Sequence, residues 1–367
     1  MKSARFCGAT LIPKTRQYVT AIPMLPRDRV LAALDFQPPD IVPLEYHASP
    51  SGSFEHGERL HQLWEHHPQD FGLTSAFPHA RPESRWVDAN GRYCEIRRDE
   101  WGVVWEHLIF GAAGHPLERP LDDWSNLARY QLPPDPEMSG PDFEREKARA
   151  ALHEKKYFHK SGWINLFEVL IAVRRFEDVL MDIASDTAEI NRLADLITGY
   201  QLKRVHYLLA RGVDAIQFGD DFSTQVDLMM SLRTWKKFFK PRFELLMKPV
   251  HAAGKKVFFH TCGCGLRLLE DFADLGVHAI WPQLDVYDQP DLARRCHEAK
   301  IAIEIHPNRG ELMIRSTPAQ VRSAVLKLVD IFSMAEGGSW FYVEIDSGFP
   351  FENVQALIET IGELRGL

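Results

Sequence analysis

The feature that most restricts the fold is a rhythm in the second half of the chain. Short apolar runs recur there, each ending in polar residues, with about one helix between them. Ala215–Phe218 ends in Gly219-Asp220-Asp221, and Val257–Phe259 ends in His260-Thr-Cys262. His278–Trp281 ends in Pro282-Gln283, Ile301–Ile305 in His306, and Trp340–Ile345 in Asp346. Stretches with helical periodicity, such as Thr187–Arg211, Thr234–Ala253 and Pro290–Ala299, separate them. Regular β/α alternation is the pattern of a parallel sheet covered by helices. With early strands at Ile41–Tyr46 and near Tyr157–Gly162, there are about seven strand candidates. A doubly wound sheet would carry a Gly-rich phosphate turn after its first strand, and none is present. The expectation is therefore an α/β chain forming a single (β/α)8 TIM barrel, with an N-terminal extension. Residues 1–25 read as the arm and 26–367 as the barrel.

The first half is less regular. A helix over Arg27–Phe36 stops at Pro38-Pro39, and a second covers Glu55–His67. Apolar and polar residues alternate from Arg85 to Trp105, with Asn90-Gly91 as a turn, which predicts a hairpin or small meander. The proline-rich stretch from Pro116 to Pro136 reads as an irregular connection across the surface.

Charge and composition exclude several roles. The net charge of −8, with no basic stripe, argues against a nucleic-acid partner. No run approaches the ~18 apolar residues of a membrane span, and Met1–Arg16 is basic without the apolar core of a signal peptide. Five cysteines, an odd number in a chain of this length, do not suggest a disulfide framework. A soluble cytoplasmic protein is the expectation.

In a barrel the chemistry gathers where strands end. His260 and Cys262 leave a buried strand two residues apart, so their side chains point the same way and can converge on one ion. Imidazole nitrogen with thiolate sulfur is a donor pair suited to zinc. As spacing alone, the pair reads equally as a packed histidine and cysteine. Asp220 and Asp221 can hold a proton or bind a cation, or else cap the next segment. Glu168 falls on the same face, and its bland role is a solvated loop carboxylate. Tyr46 and His47 end the first strand and, with Trp101 and Gln283, are the expected substrate contacts. Tyr46, Trp101, Phe110 and Trp281 together would give an apolar wall. A third metal ligand must come from elsewhere in the chain. Glu344 on the last strand and His306 after the preceding one stand at the right barrel end, and spacing establishes neither. Cys264 and Cys296 are weaker candidates.

Several of these strings resemble a known group. Gly212-Val-Asp-Ala-Ile-Gln-Phe-Gly-Asp-Asp221, Phe239-Lys-Pro241, Gly254 through Gly263 and Pro350-Phe-Glu-Asn353 resemble the uroporphyrinogen decarboxylase superfamily. Arg27-Asp-Arg-Val30 and Asp40-Ile-Val-Pro43 extend the likeness over nearly the whole chain. The resemblance implies a (β/α)8 barrel that is either a decarboxylase or a zinc methyltransferase working with a corrinoid protein. Decarboxylases of the group carry an arginine-rich segment after the first strand to clamp the carboxylates of their tetrapyrrole. Here that place reads Glu45-Tyr-His-Ala-Ser-Pro-Ser-Gly52, without an arginine. The H-x-C-G string is similar to the methyltransferase zinc site. The late cysteine of that site is missing, and Phe341-Tyr-Val-Glu344 stands in its place. The implied reading is a methyltransferase with zinc on His260, Cys262 and Glu344, and with Asp220, Asp221 and Glu168 as catalytic groups. The corrinoid would be carried by a partner protein, because no D-x-H-x-x-G cobalamin motif occurs. The alternatives are a decarboxylase or lyase on another substrate, and a barrel that binds without catalysis.

Overall fold

The computed structural model describes residues 23–72 and 81–366; all but the last three residues of the N-terminal arm lie outside that range. Among the described residues there are ten strands. β1 is Leu44–Ala48, β2 Glu95–Arg98, β3 Val104–His107, β4 His115–Glu118 and β5 Lys160–Ile164. β6 is Ala215–Gly219, β7 Lys256–Thr261, β8 Ala279–Pro282, β9 Ala302–Ile305 and β10 Ser339–Ile345. Seven of them form one parallel sheet in the order β1-β10-β9-β8-β7-β6-β5. Helices lie between successive strands and cover the outside, as the alternation predicts.

The sheet curls until its two end strands face each other. Between them runs the segment Gln69–Gly72, which takes the eighth place: the Asp70 amide donates to the Leu44 carbonyl (2.9 Å), and the Phe158 amide donates to the Asp70 carbonyl (3.1 Å). Across the interior, Lys160 Nζ on β5 lies 2.8 Å from Glu45 on β1 and 2.6 Å from Glu304 on β9. The sheet is thus a TIM-barrel-type parallel sheet.

The floor of the barrel explains part of the sequence resemblance. Helix Pro26–Leu34 lies under it, and Val30, Ala33 and Leu34 pack on Phe71, Phe158, Phe258 and Trp340. Between these large rings sit Ala215, Ala279 and Ala302, the large-small alternation that fills a tapering interior. Arg29 ties this helix to Asp40 at 2.6 Å and to Asp70, which is fully buried. Arg365 reaches the same Asp70 from the last helix at 2.8 Å. Arg27 pairs with Asp214 at 2.7 Å. The Arg27-x-Arg29 and Asp40 positions are structural: removing one partner of the buried Arg29 pairs costs ~3–5 kcal/mol, while Arg27 is a third exposed and contributes less.

Local differences from the sequence reading have simple causes. The helix expected over Thr234–Ala253 breaks at Phe239 into Leu232–Phe238 and Lys240–Ala252, because Pro241 has no N–H for a continuous ladder. Asn90-Gly91 does turn the chain, with Val87 bridging Tyr93. The larger hairpin, however, is β2–β3, and β4 adds a third strand in the stretch read as irregular. Trp101, at the β2–β3 turn, packs edge-on against Tyr200 at 5.2 Å. Among the described residues, no helix is long and apolar enough to cross a membrane.

Candidate metal centre

The register of β6, β7 and β8 sets the centre. Gly219 pairs with His260, and His260 pairs with Trp281, so the polar ends of these strands meet at one level. A Cβ on Gly219 would lie 2.6 Å from the Trp163 indole, so only glycine lets that ring settle against the strand end. Trp163 and Trp281 flank the imidazole of His260, with ring centres 5.5 and 4.0 Å away.

His260 Nδ1 lies 2.9 Å from the Trp281 carbonyl, which can only accept, so the proton sits on Nδ1. Its Nε2 lone pair then faces Cys262 Sγ at 3.4 Å and Asp221 Oδ1 at 3.7 Å. Asp221 Oδ1 also accepts the Cys262 amide at 2.8 Å, which fixes the carboxylate beside the thiol. One ligand atom from each of Asp221, His260 and Cys262 lies within 4.8 Å of the others. Zinc bonds of about 2.0–2.3 Å at tetrahedral angles place ligand atoms roughly 3.3–3.8 Å apart, so the donors stand close to a zinc-binding arrangement. Burial holds His260 down to about 4, and burial together with Asp221 pushes the Cys262 thiol up to about 12. Without a cation the pair is therefore neutral imidazole and thiol; a bound divalent ion reverses the second and binds thiolate.

The loop carrying Cys262 is held tightly. Gly263 has φ +74°, and a Cβ there would meet the Thr224 carbonyl at 2.4 Å. Tyr287 donates its hydroxyl to the Gly263 carbonyl (2.6 Å) and accepts the Gly265 amide (2.8 Å). Gln283 accepts the Gly263 amide at 3.0 Å and pairs with Gln225, so its place is in the loop clamp.

The paired aspartates divide their work. Asp220 is fully buried and accepts the amides of Leu166, Phe167 and Glu168 at 2.8, 3.0 and 2.8 Å, capping helix Phe167–Val173. Asp221 alone faces the centre. Glu168 stands beside it, its Oε2 accepting Asn165 Nδ2 (2.7 Å) and Trp163 Nε1 (3.1 Å). Burial, with help from Asp221, pushes the Glu168 carboxyl above its ordinary range despite these donors.

Glu344 is not brought to the pair. Its Oε2 lies 2.8 Å from Arg309 Nη1 and 3.8 Å from His306 Nε2, on the rim formed by β9, β10 and β1. Burial opposes its ionisation, yet His306 and Arg309 hold its carboxyl below the usual value. Asp221 occupies the place beside His260 and Cys262 instead. Cys264 points its amide to the Thr224 carbonyl, and Cys296 is buried in its helix. Trp101 is likewise not part of the barrel mouth; it lines an open depression with Arg129 and Tyr130. Phe110 sits in a separate outer groove with Phe54 and Tyr93.

A chamber of about 260 Å³ opens inside the barrel and shares the walls Trp163 and Trp281 with the centre. Tyr46 and His47 line it, as do Glu45, Lys160, Gln217 and Tyr342. The ion cluster at its side, Glu45–Lys160–Glu304, was not singled out from the sequence. The signal was there: Glu304 is a lone charge between isoleucines in a buried strand. Burial works against the Glu45 charge, but Lys160 and His47 hold its carboxyl at about 2. Burial pushes Glu304 up to about 8.

The uroporphyrinogen decarboxylase (URO-D) family model matches residues 161–364, more than half of the chain, and the protein belongs to that family. No curated protein matches it in sequence. Among solved structures, a methyltransferase from Methanosarcina mazei superposes with a TM-score of 0.64 at 16% identity, over 93% of this chain and 99% of that one. That is a likeness of fold across the whole barrel. A dihydropteroate synthase from Anaplasma phagocytophilum gives a TM-score of 0.37 at 16% identity, over 57% of this chain and 76% of that one.

Proposed function

We propose that the protein is a zinc-dependent methyltransferase of the URO-D family, moving a methyl group between a small methylated substrate or thiol and a corrinoid held on a separate protein. The observation that carries this reading is the convergence of Asp221, His260 and Cys262 on one point at the C-terminal end of the barrel. The donor set fits zinc: imidazole with its free lone pair inward, a thiol ready to lose its proton to a cation, and one carboxylate oxygen. These three residues would hold the metal and leave a fourth position open. Zinc bound there supplies Lewis acidity, lowering the pKa of a thiol acceptor or polarising an oxygen.

The chain's own groups do the rest. The Trp281 carbonyl keeps His260 in the tautomer that presents Nε2. Glu168, with Oε2 already occupied by two donors, has Oε1 to carry a proton next to the centre, and burial, which raises its pKa, favours the protonated form. Asp220 positions Glu168 by fixing the start of its helix. Trp163 and Trp281 keep water from the inner side of the centre. Loss of carboxylates from a tetrapyrrole is disfavoured, because the chamber presents Glu45 where that activity needs arginines.

Metal analysis and a methyl-transfer assay test the proposal together. Protein produced with ample zinc should contain about one zinc per chain. With a thiol acceptor it should demethylate added methylcobalamin, read from the visible spectrum. No zinc in that preparation overturns the reading, and coproporphyrinogen formation from uroporphyrinogen would favour a decarboxylase instead.

A further inference from the structure

The chamber beside the metal centre has a chemical selectivity of its own. Its one lysine is already spoken for: Lys160 Nζ sits between Glu45 at 2.8 Å and Glu304 at 2.6 Å. His47, the other basic side chain on its wall, is held by Glu45 at 2.7 Å. Among the described lining residues, no cationic group is left to receive an acid. The unused polar atoms are mostly acceptors. Gln217, on the wall, is 5% exposed and its Oε1 has no partner; Glu304, which stands behind Lys160, has a buried Oε2 without one. The remaining wall is aromatic, from Trp163, Trp281, Tyr342 and Phe71. Buried acceptors without partners cost free energy until a donor arrives. Lys160 Nζ already lies over Tyr342 and Phe71, at 4.9 and 5.6 Å, so the indoles of Trp163 and Trp281 are the faces that can attract a further cation.

We propose that this chamber is a substrate subsite for a small methylated ammonium compound, and that it rejects carboxylates. The identity of the compound as methyl donor rests on the methyltransferase reading above; the binding site does not. The volume, just below the ~300–1,000 Å³ of drug-sized sites, admits a molecule of choline's size and little more. Charge balance points the same way. Lys160 faces two carboxyl groups, Glu45 and Glu304, so an entering cation adds positive charge to a cluster that has one ammonium for two acids. A third carboxylate around Lys160 would be buried without a counter-charge.

Three molecules of nearly equal shape separate the outcomes: choline, neutral 3,3-dimethylbutan-1-ol and anionic 3,3-dimethylbutanoate. Calorimetric titration of the full chain, zinc-loaded, should show choline binding at least about tenfold tighter than the alcohol, and no binding of the acid. Glu304→Gln should weaken choline about tenfold and leave the alcohol unchanged. If that variant does not fold, Gln217→Leu decides, with a smaller loss for choline. Equal affinity for choline and the alcohol, tighter binding of the acid, or no binding of any of the three overturns the proposal. The readout involves no turnover, so choline binding retained in zinc-free Cys262→Ser would support this subsite even where the metal reading had failed.

Discussion

Two rims of the same barrel mouth carry a histidine beside a carboxylate, and they differ in what completes them. At the ends of β6 and β7, His260 Nε2 faces Asp221 at 3.7 Å and Cys262 Sγ at 3.4 Å, and among the described residues no lysine or arginine pairs with Asp221. At the ends of β9 and β10, His306 Nε2 faces Glu344 at 3.8 Å, and Arg309 lies on Glu344 at 2.8 Å and on Asp346 at 3.3 Å. The first rim gathers three donors that lack a positive centre. The second already contains one. A guanidinium satisfies a carboxylate with directional bonds and cannot be deprotonated, so Glu344 is occupied where Asp221 is available. The residue types alone do not distinguish a metal site from an ion pair; the neighbour that reaches them first does.

The strongest way to break this contrast is to remove the thiol. Cys262→Ser should lower zinc affinity by about a hundredfold or more, because a hydroxyl is a far poorer zinc ligand than a thiolate. Wild type should gain about 2.7 kcal/mol of stability at zinc a hundredfold above its dissociation constant, and the variant about 0.4 kcal/mol or less at that concentration. Thermal melts with and without zinc measure both, and equal zinc content in the two proteins would refute the centre.

Asp221→Asn keeps an oxygen that can accept the Cys262 amide but removes the charge. It should cost about tenfold in zinc affinity, less than the cysteine change. A loss as large as that of Cys262→Ser would mean that the carboxylate, and not the thiolate, dominates the site. Tyr287→Phe cuts both hydroxyl bonds to the Cys262 loop and leaves every donor in place. A few-fold loss of zinc is expected, by competition against a chromogenic chelator.

The opposite rim should answer with stability instead of metal. Glu344→Gln should leave zinc content unchanged; a drop matching Cys262→Ser would show that Glu344, and not Asp221, is the third ligand. Arg309→Met should cost about 1 kcal/mol, since the guanidinium is partly exposed and screened. The sign with pH follows from the lowered Glu344 carboxyl. Its contribution is present above the unfolded value near 4.3 and is lost as pH falls through the folded value. The Arg309→Met penalty, read from denaturant melts, should therefore shrink on the acid side of that range.

Much of the barrel was written locally. The alternation from Tyr157 to Ile345 places most strands within a few residues, because a buried strand needs an uninterrupted apolar run and a covering helix needs a 3.6-residue stripe. The pairing of His260 with Cys262 is equally local, since the two side chains leave one strand on the same side. Asp220 and Asp221 are adjacent, yet opposite in role. One turns under the Leu166–Glu168 amides, while the other meets a loop 41 residues further on.

What the sequence by itself determined is the repeating unit, the buried strands and the chemistry available at their ends. Only the tertiary structure decided which ends meet. Gly219 falls level with His260 through the β6–β7 register, and that brings Asp221 into the centre. Closure of the sheet through Gln69–Gly72 sets Lys160 between Glu45 and Glu304. Packing on Tyr200 keeps Trp101 in its own depression, outside the barrel chamber. Periodicity is a property of a few neighbouring residues, whereas a site in a parallel barrel is assembled from separate strands. Their register and closure depend on how the whole interior fills, from the rings and alanines of the floor upward.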